Sequence, residues 1–531
     1  MSRRNRRLNG QTNELLPFSS VGFRRGWVQV RPTNYSVRCR FRLSFFKQQF
    51  LHLTKKNPTM ATVTTFTPSE KLASFIASIE KGSYDRQITA GIAKFVNKTV
   101  DADMQDFYSA DDLAALASLE DSERDVETRM PVKITRHYFE QARNSKAMQK
   151  LIKASPDETN DLAGSQDPGK QMDYSPVEGL LHKYEIGLIY VASTCSAHCR
   201  FCYREELIAK KDVARPDGAL APKGLAKIDD ICNYIIEHNR IVEQNGGVHP
   251  ETGREKLREI LMSGGDPMVL SNKIIGRWWS SLSEAGIENI RLGTKELAFF
   301  PDRFDESFFA MLDNFHENYP NTNIRFVVHF NHPDEFLKKD ANGDYIAHEG
   351  GFEWLDNTIR SVRSLKSRSW INVDNQSPII QGINDCSDAL RILQRELKRN
   401  GIENSRFYCG RDIVGHRAFN LKIEDAWKIL NESQKQLSGI EAHARLSITH
   451  YKGKTEVVAV TDEPMNIPGG ENGVLIFKLY RNAADAKDKG KVAIVGRNPE
   501  AIWFNDYEDR VIFDEAGLFP KTADEAKPGF Y

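Results

Sequence analysis

The chain has 531 residues, 40% hydrophobic and 27% charged, enough to bury a sizeable core and ordinary for a globular protein. Its formal net charge is zero, yet residues 1–59 hold 13 Lys or Arg and one acidic residue, Glu14, which leaves 60 basic and 72 acidic residues beyond them; an acidic body argues against a nucleic-acid partner. No run reaches the roughly 20 apolar residues that cross a bilayer, and mean hydropathy is −0.51, so a soluble chain with no membrane partner is expected.

Residues 1–59 are Arg-rich (Arg3, Arg4, Arg6, Arg7, Arg24, Arg25) and lack the apolar core of a secretory signal. They read as an organellar targeting peptide or as translated sequence ahead of a start at Met60; the absence of a convincing amphipathic period favours the second. Residues 60–165 read as a helical N-terminal domain, with a capped start at Ser109 and apolar residues at helical spacing over Ile134–Ile152. Pro156–Ser175, rich in Asp, Gly, Ser and Pro, reads as a linker.

From there to about Tyr451, short apolar runs alternate with helical stretches such as Ser307–Phe315 and Ser387–Leu397. The runs are Ile186–Ala192, Glu259–Met262, Asn289–Leu292, Ile324–Phe330, Trp370–Val373, Arg406–Cys409 and Arg445–Thr449. This alternation implies parallel βαβ units, and six or seven of them imply an α/β fold of full or partial (β/α) barrel type, here over residues 166–455. Functional residues of such folds sit just after strand ends. The cysteines, Gly264-Gly265-Asp266-Pro267, His329-Phe330-Asn331-His332-Pro333 and Asn375-Gln376 all fall there. Residues 456–531 carry further strand-like runs, Glu456–Val460, Val474–Leu479 and Val492–Val495. They read as a small β-rich extension or a contact between copies in a homo-oligomer.

Seven cysteines are sparse, and three share one eight-residue window, Cys195-Ser196-Ala197-His198-Cys199-Arg200-Phe201-Cys202. A disulfide framework would spread them out, so a reducing compartment, the cytoplasm, is expected. Leaving one loop after a strand, three thiolates can converge on one face of a cubane, and three ligands for four irons leave one iron open to a small molecule. A structural zinc site would use four ligands in two paired knuckles, and no second pair exists.

That spacing is the one of the radical S-adenosylmethionine superfamily, and its flanks resemble the lysine 2,3-aminomutase family. The matching stretches are Ser175–Tyr184, the cysteine loop with Arg204 beyond it, Ser263–Pro267, Ile290–Thr294, His329–Pro333, Asn375-Gln376, Asn384-Asp385-Cys386 and Asp412, an ordered series between residues 160 and about 460. The resemblance implies a 4Fe-4S cluster on Cys195, Cys199 and Cys202, and S-adenosyl-L-methionine with its amino group at Gly264, Gly265 and Asp266 and its adenosyl part near His329 and Asn331. It also implies pyridoxal 5′-phosphate held by a lysine as a Schiff base. Lys454, after Gly453, is the candidate, with Lys452 second. Arg204 matches the arginine that grips the substrate α-carboxylate, Gln376 matches a cofactor-pocket residue, and Lys183-Tyr184 stand where the family has Arg-Tyr near the cofactor phosphate. The implied activity is that of an isomerase: a 5′-deoxyadenosyl radical takes a β-hydrogen from an amino acid held as a pyridoxal imine, the amino group moves from Cα to Cβ, and the hydrogen returns. A small-molecule amino-acid substrate and an electron donor such as a flavodoxin or ferredoxin are the implied partners.

Three departures qualify that expectation. Asp412 matches one of two aspartates that hold a lysine ε-ammonium, but Ser447 or Tyr451 stands in place of the other, and one carboxylate desolvates an ammonium less favourably than two. Cys386 matches a zinc-ligand position whose C-terminal partners are absent, which predicts a buried free thiol. The thinned glycine loop before Lys454 leaves open a radical enzyme of different chemistry that uses no pyridoxal phosphate. A non-catalytic iron-sulfur protein would leave the Gly-Gly-Asp-Pro turn and the barrel pattern without purpose.

Overall fold

Strict alternation of buried and partly exposed residues organises the centre of the molecule. In β4 (Asn289–Thr294) the side chains of Ile290, Leu292 and Thr294 are buried, and in β5 (Asn323–Val328) those of Ile324, Phe326 and Val328. Period-two burial places one apolar face against helices. The helices Asn272–Glu284 and Glu306–Asn318 supply the other half of that layer, Trp279 meeting Phe308 and Phe315 with ring centroids 6.4 and 5.3 Å apart. Each such ring contributes about 1.5–3 kcal/mol by leaving water. Ser271 and Asp305 start the two helices, their side chains accepting from the amides of Ile274 and Phe308.

The structure is a computed structural model that describes residues 65–79, 130–161, 163–208, 224–482 and 488–521, with 118, 122 and 126. Residues 1–59 and the helix start expected at Ser109 lie outside these. Twelve strands form one sheet. They are β1 (Leu180–Leu181), β2 (Gly187–Ala192), β3 (Glu259–Gly264), β4, β5, β8 (Asn372–Pro378), β9 (Glu403–Tyr408), β10 (Arg445–Thr449), β11 (Gly453–Val460), β12 (Val474–Asn482), β13 (Val492–Gly496) and β14 (Val511–Asp514), in that spatial order, with β6 (Ala347–His348) and β7 (Gly351–Phe352) forming a separate hairpin. From β2 to β10 neighbours run parallel, each pair linked by a crossover that holds a helix: Ile228–Gln244, Asn272–Glu284, Glu306–Asn318, Asp356–Lys366, Ser387–Arg399 and Ile423–Gln434. From β10 to β14 the pairing is antiparallel.

All seven expected strands are present, with ends moved by a few residues. The helix read over Ile134–Ile152 is two helices, Arg136–Ala142 and Lys146–Ile152, because Ser145 leaves the helix to cap the second, accepting from Met148 N. The expected linker is partly ordered: it holds short helices at Asp157–Asn160 and Gln171–Tyr174 and docks through Ser165 N, which donates to the Asp412 carbonyl at 2.8 Å. The strands after residue 455 continue the same sheet, since β11 pairs with both β10 and β12. Glu185, just before β2, reaches Arg481 at the end of β12 at 3.2 Å, so strands distant in the sheet meet. Cys386 is exposed, not buried. Among the described residues no helix is long and apolar enough to cross a membrane.

Candidate active site

The cysteine loop leaves the end of β2 and is held from outside by the helical segment before it. Arg200, 1% exposed, donates through Nη1 to the Met130 carbonyl at 2.9 Å and through Nε to Glu158 Oε1 at 3.0 Å, with Nη2 on the other carboxylate oxygen. The amide of Arg200 donates to Leu151 O, that of His198 to Lys133 O, and His198 Nδ1 lies 2.8 Å from Pro131 O. These bonds tie the arginine and the histidine of the motif to the segment before the loop. Burial raises all three thiol pKa values, and each thiol lies within the electrostatic reach of another. Among the described residues no three His, Cys, Asp or Glu side chains form a cage for a single metal ion. A cubane asks for something looser, because each thiolate takes its own iron, and iron reverses the cost of ionising a buried thiol. The donor set therefore fits a cluster held by Cys195, Cys199 and Cys202.

Beside the loop, the Gly-Gly-Asp-Pro turn follows β3. Gly264 has φ +125°, which favours glycine. A Cβ on Gly264 would press on the Ala192 carbonyl, and one on Gly265 on that of Thr194. The glycines thus let the turn approach the backbone of the cysteine loop, where Gly265 N donates to Ala192 O at 2.7 Å and Asp266 N to Thr194 O at 2.8 Å. Asp266 is committed inside the protein: Oδ1 accepts from Met268 N at 2.9 Å, and Oδ2 from Lys295 N at 2.7 Å and Thr294 Oγ1 at 3.0 Å. A ligand ammonium at this turn would meet backbone carbonyls first. Sequence reasoning missed Glu296, which is fully buried; its Oε1 accepts weakly from Ser196 N at 3.4 Å and its Oε2 has no partner. Burial pushes this carboxyl well up, and the neighbouring Asp266 adds to it. Lys133, also missed, donates to Thr194 Oγ1 at 3.0 Å.

His329 and Asn331 stand after β5 as expected. The fully buried Asn331 amide accepts from Lys295 Nζ at 2.7 Å and donates to Ser377 Oγ at 2.8 Å. It is a brace, and its Nδ2 also lies 3.1 Å from Nε2 of the neighbouring His329. Burial and the charges of Lys295 and Arg204 drive the His329 pKa well down, so its ring is neutral, with Phe201 edge-on at 6.1 Å. Asn375 ties β5 to β8 by exchanging two hydrogen bonds with the Phe330 backbone.

A second group gathers at the head of β11. Lys454 Nζ lies 4.7 Å above the Tyr408 ring and 3.4 Å from its hydroxyl, which donates to Gln376 Oε1 at 3.2 Å. Burial lowers the Lys454 pKa to about 8. Lys183 is buried and donates to Gly169 O at 2.5 Å; burial, then the charge of Arg411, lowers it to about 7. Tyr184 keeps a buried hydroxyl without a partner. Arg204 donates to Ser263 Oγ and lies 5.7 Å from the Tyr190 ring. Lys452 points elsewhere, donating to Ala516 O at 3.2 Å. Lys452 lies in the hairpin turn Tyr451-Lys452, closed by His450 and Gly453, whereas Lys454 lies in β11, which starts at Gly453. That glycine is needed because a Cβ would land on the Arg481 carbonyl of β12. Asp412 is not free for a substrate ammonium: Arg417 holds it at both oxygens, 2.7 and 2.9 Å.

No family model matches the chain. A protein of Aquifex aeolicus (strain VF5), provisionally named L-lysine 2,3-aminomutase, is 27% identical over 351 residues, 66% of this chain and 79% of that one. The glutamate 2,3-aminomutase of Clostridioides difficile (strain 630) is 25% identical over 287 residues, 54% of this chain and 55% of that one. The L-lysine 2,3-aminomutase of Clostridium subterminale is 23% identical over 279 residues, 52% and 55%. The chain thus spans about half the length of the last two. A solved radical SAM methyltransferase from Sphaerobacter thermophilus overlaps loosely, with 15% identity and a TM-score of 0.31 over 52% of this chain and 72% of that one. Across these comparisons the chain is similar to 2,3-aminomutases, at 23–27% identity.

Proposed function

We propose that the chain is an isomerase that moves an amino group from Cα to Cβ of an amino acid, on a sheet whose seven parallel strands form a partial (β/α) barrel. The observation that carries this reading is Lys454: a desolvated lysine with a pKa near 8, braced by Tyr408 and Gln376 at the end of a strand. When bound, a 4Fe-4S cluster with S-adenosyl-L-methionine supplies a 5′-deoxyadenosyl radical, and pyridoxal 5′-phosphate supplies a delocalising ring for the migrating nitrogen.

The chain's own residues divide the remaining work. Cys195, Cys199 and Cys202 would hold the cluster, and the carbonyls of the Gly264-Gly265-Asp266 turn and the neutral His329 ring would line the space beside it. Lys454 Nζ offers an unprotonated amine near neutral pH to an aldehyde carbon, and the Tyr408 hydroxyl stands where it can pass a proton to or from that nitrogen. Lys183 gives a point charge for a phosphate, with Tyr184 Oη as an unspent donor. Arg204, kept planar beside Tyr190 and Tyr203 at 5.7 and 4.7 Å, suits a carboxylate. A flavodoxin- or ferredoxin-like donor in the cytoplasm would deliver the electron.

The thinned glycine loop favours a second reading, a radical enzyme without pyridoxal phosphate. Protein purified without oxygen separates the two: a broad band near 400 nm that follows iron loading is expected on either, and a borohydride-sensitive band with a pyridoxyl adduct on Lys454 is expected only on the first. Iron loading with no trace of a pyridoxyl adduct would refute the first.

A further inference from the structure

The group of side chains around Lys454 holds more positive charge than the roles above consume. Arg411 follows β9 by three residues, its guanidinium carbon 4.3 Å from the Tyr203 ring that Arg204 approaches at 4.7 Å. Its charge acts on Lys183, Lys454, Tyr184, Tyr190 and Tyr408. The carboxylates nearby are largely spent. Asp412 is held by Arg417, Glu185 by Arg481 and Lys489, and Glu205 lies 3.4 Å from His416. Asp167 and the exposed Asp173 act on Lys183, Asp167 with Oδ2 accepting from Met172 N and Oδ1 buried without a partner. Among the described residues the Arg411 guanidinium has neither an acidic partner nor a hydrogen bond.

Partly buried cations without partners cost free energy until an anion arrives. If Lys183 meets a phosphate and Arg204 an α-carboxylate, one planar cation remains between them. We propose that Arg411 is the receptor for a second carboxylate of the substrate, so that the site takes an α-amino acid with an acidic side chain; this rests on the function proposed above. A guanidinium pairs with such a carboxylate at two points, and an ammonium side chain would meet the field of Arg411, Lys183 and Arg481 instead.

Titration calorimetry with L-glutamate, its neutral isostere L-glutamine and L-lysine, on protein loaded with pyridoxal phosphate, tests this. L-Glutamate should bind roughly 10- to 100-fold more tightly than L-glutamine, the range of a charge-assisted pair, and L-lysine should bind worst. Arg411→Gln should erase the difference while the pyridoxyl band stays at wild-type intensity, and Arg411→Lys should keep part of it. Equal affinity for glutamate and glutamine would overturn the inference. So would tighter binding of L-lysine, which would make Asp167 the side-chain receptor, or loss of the pyridoxyl band in Arg411→Gln, which would make Arg411 a phosphate ligand. A wild-type chain that takes up no pyridoxal phosphate would instead sink the function proposed above, and this inference with it.

Discussion

Replacing Lys454 or Lys452 separates two amines only two residues apart. At pH 7.5 an amine with a pKa of about 8 is roughly one quarter neutral, against about one part in a thousand at the ordinary 10.5. Lys454 should therefore capture an aldehyde roughly 200-fold more readily than an ordinary exposed lysine of equal nucleophilicity. The sign follows from burial, which disfavours the ammonium: capture rises through about pH 7–9 and is flat above, where an unperturbed lysine would still be climbing. The assay is borohydride trapping of pyridoxal phosphate across that range, with peptide mapping of the adduct. Lys454→Ala should lose the adduct and keep the iron, while Lys452→Ala should leave midpoint and adduct unchanged, because its amine is turned to the Ala516 carbonyl. A midpoint near 10.5, or an adduct on Lys452, would refute the reasoning.

Two further expectations concern the frame of the site. Arg200→Ala removes the cation paired with the Glu158 carboxylate, 8% exposed, and urea unfolding should show a loss of about 3–5 kcal/mol; a loss under 1 kcal/mol would mean the pair does not hold the loop. Gly265→Ala puts a methyl group against the Thr194 carbonyl, backbone on backbone, so binding of S-adenosyl-L-methionine by the iron-loaded protein should fall at least tenfold while the melting temperature drops by a few degrees. Unchanged binding would mean the turn does not set that site.

Much of the frame was legible because it rests on local pattern. Short apolar runs predicted β4 and β5, and the helical stretches read at Ser307–Phe315 and Ser387–Leu397 fall within the helices Glu306–Asn318 and Ser387–Arg399. What escaped depends on hydrogen bonds between distant segments. Nothing in the sequence near Asp412 says that Arg417 will occupy it, or that Asp266 and Asn331 will turn inward to brace Lys295 and its strand. The helix break at Ser145 was a local signal passed over, a serine able to cap. Tyr408 and Arg411 lay within reach of the strand-end rule that picked out Gln376, since Tyr408 ends β9 and Arg411 follows it, but a single tyrosine or arginine carries no motif. The need for glycine at position 453 escaped for a third reason: it comes from the close approach of the β12 backbone, a strand more than 20 residues further on.

The central claim is that three cysteines of one loop hold a cluster that cleaves S-adenosyl-L-methionine. The most direct measurement is 5′-deoxyadenosine and methionine formed by dithionite-reduced, iron-reconstituted protein, compared with the single variants Cys195→Ala, Cys199→Ala and Cys202→Ala. Cleavage in the wild type, with iron content and cleavage both lost in each variant, is the predicted result. Normal iron and normal 5′-deoxyadenosine formation in any one of the three would contradict it.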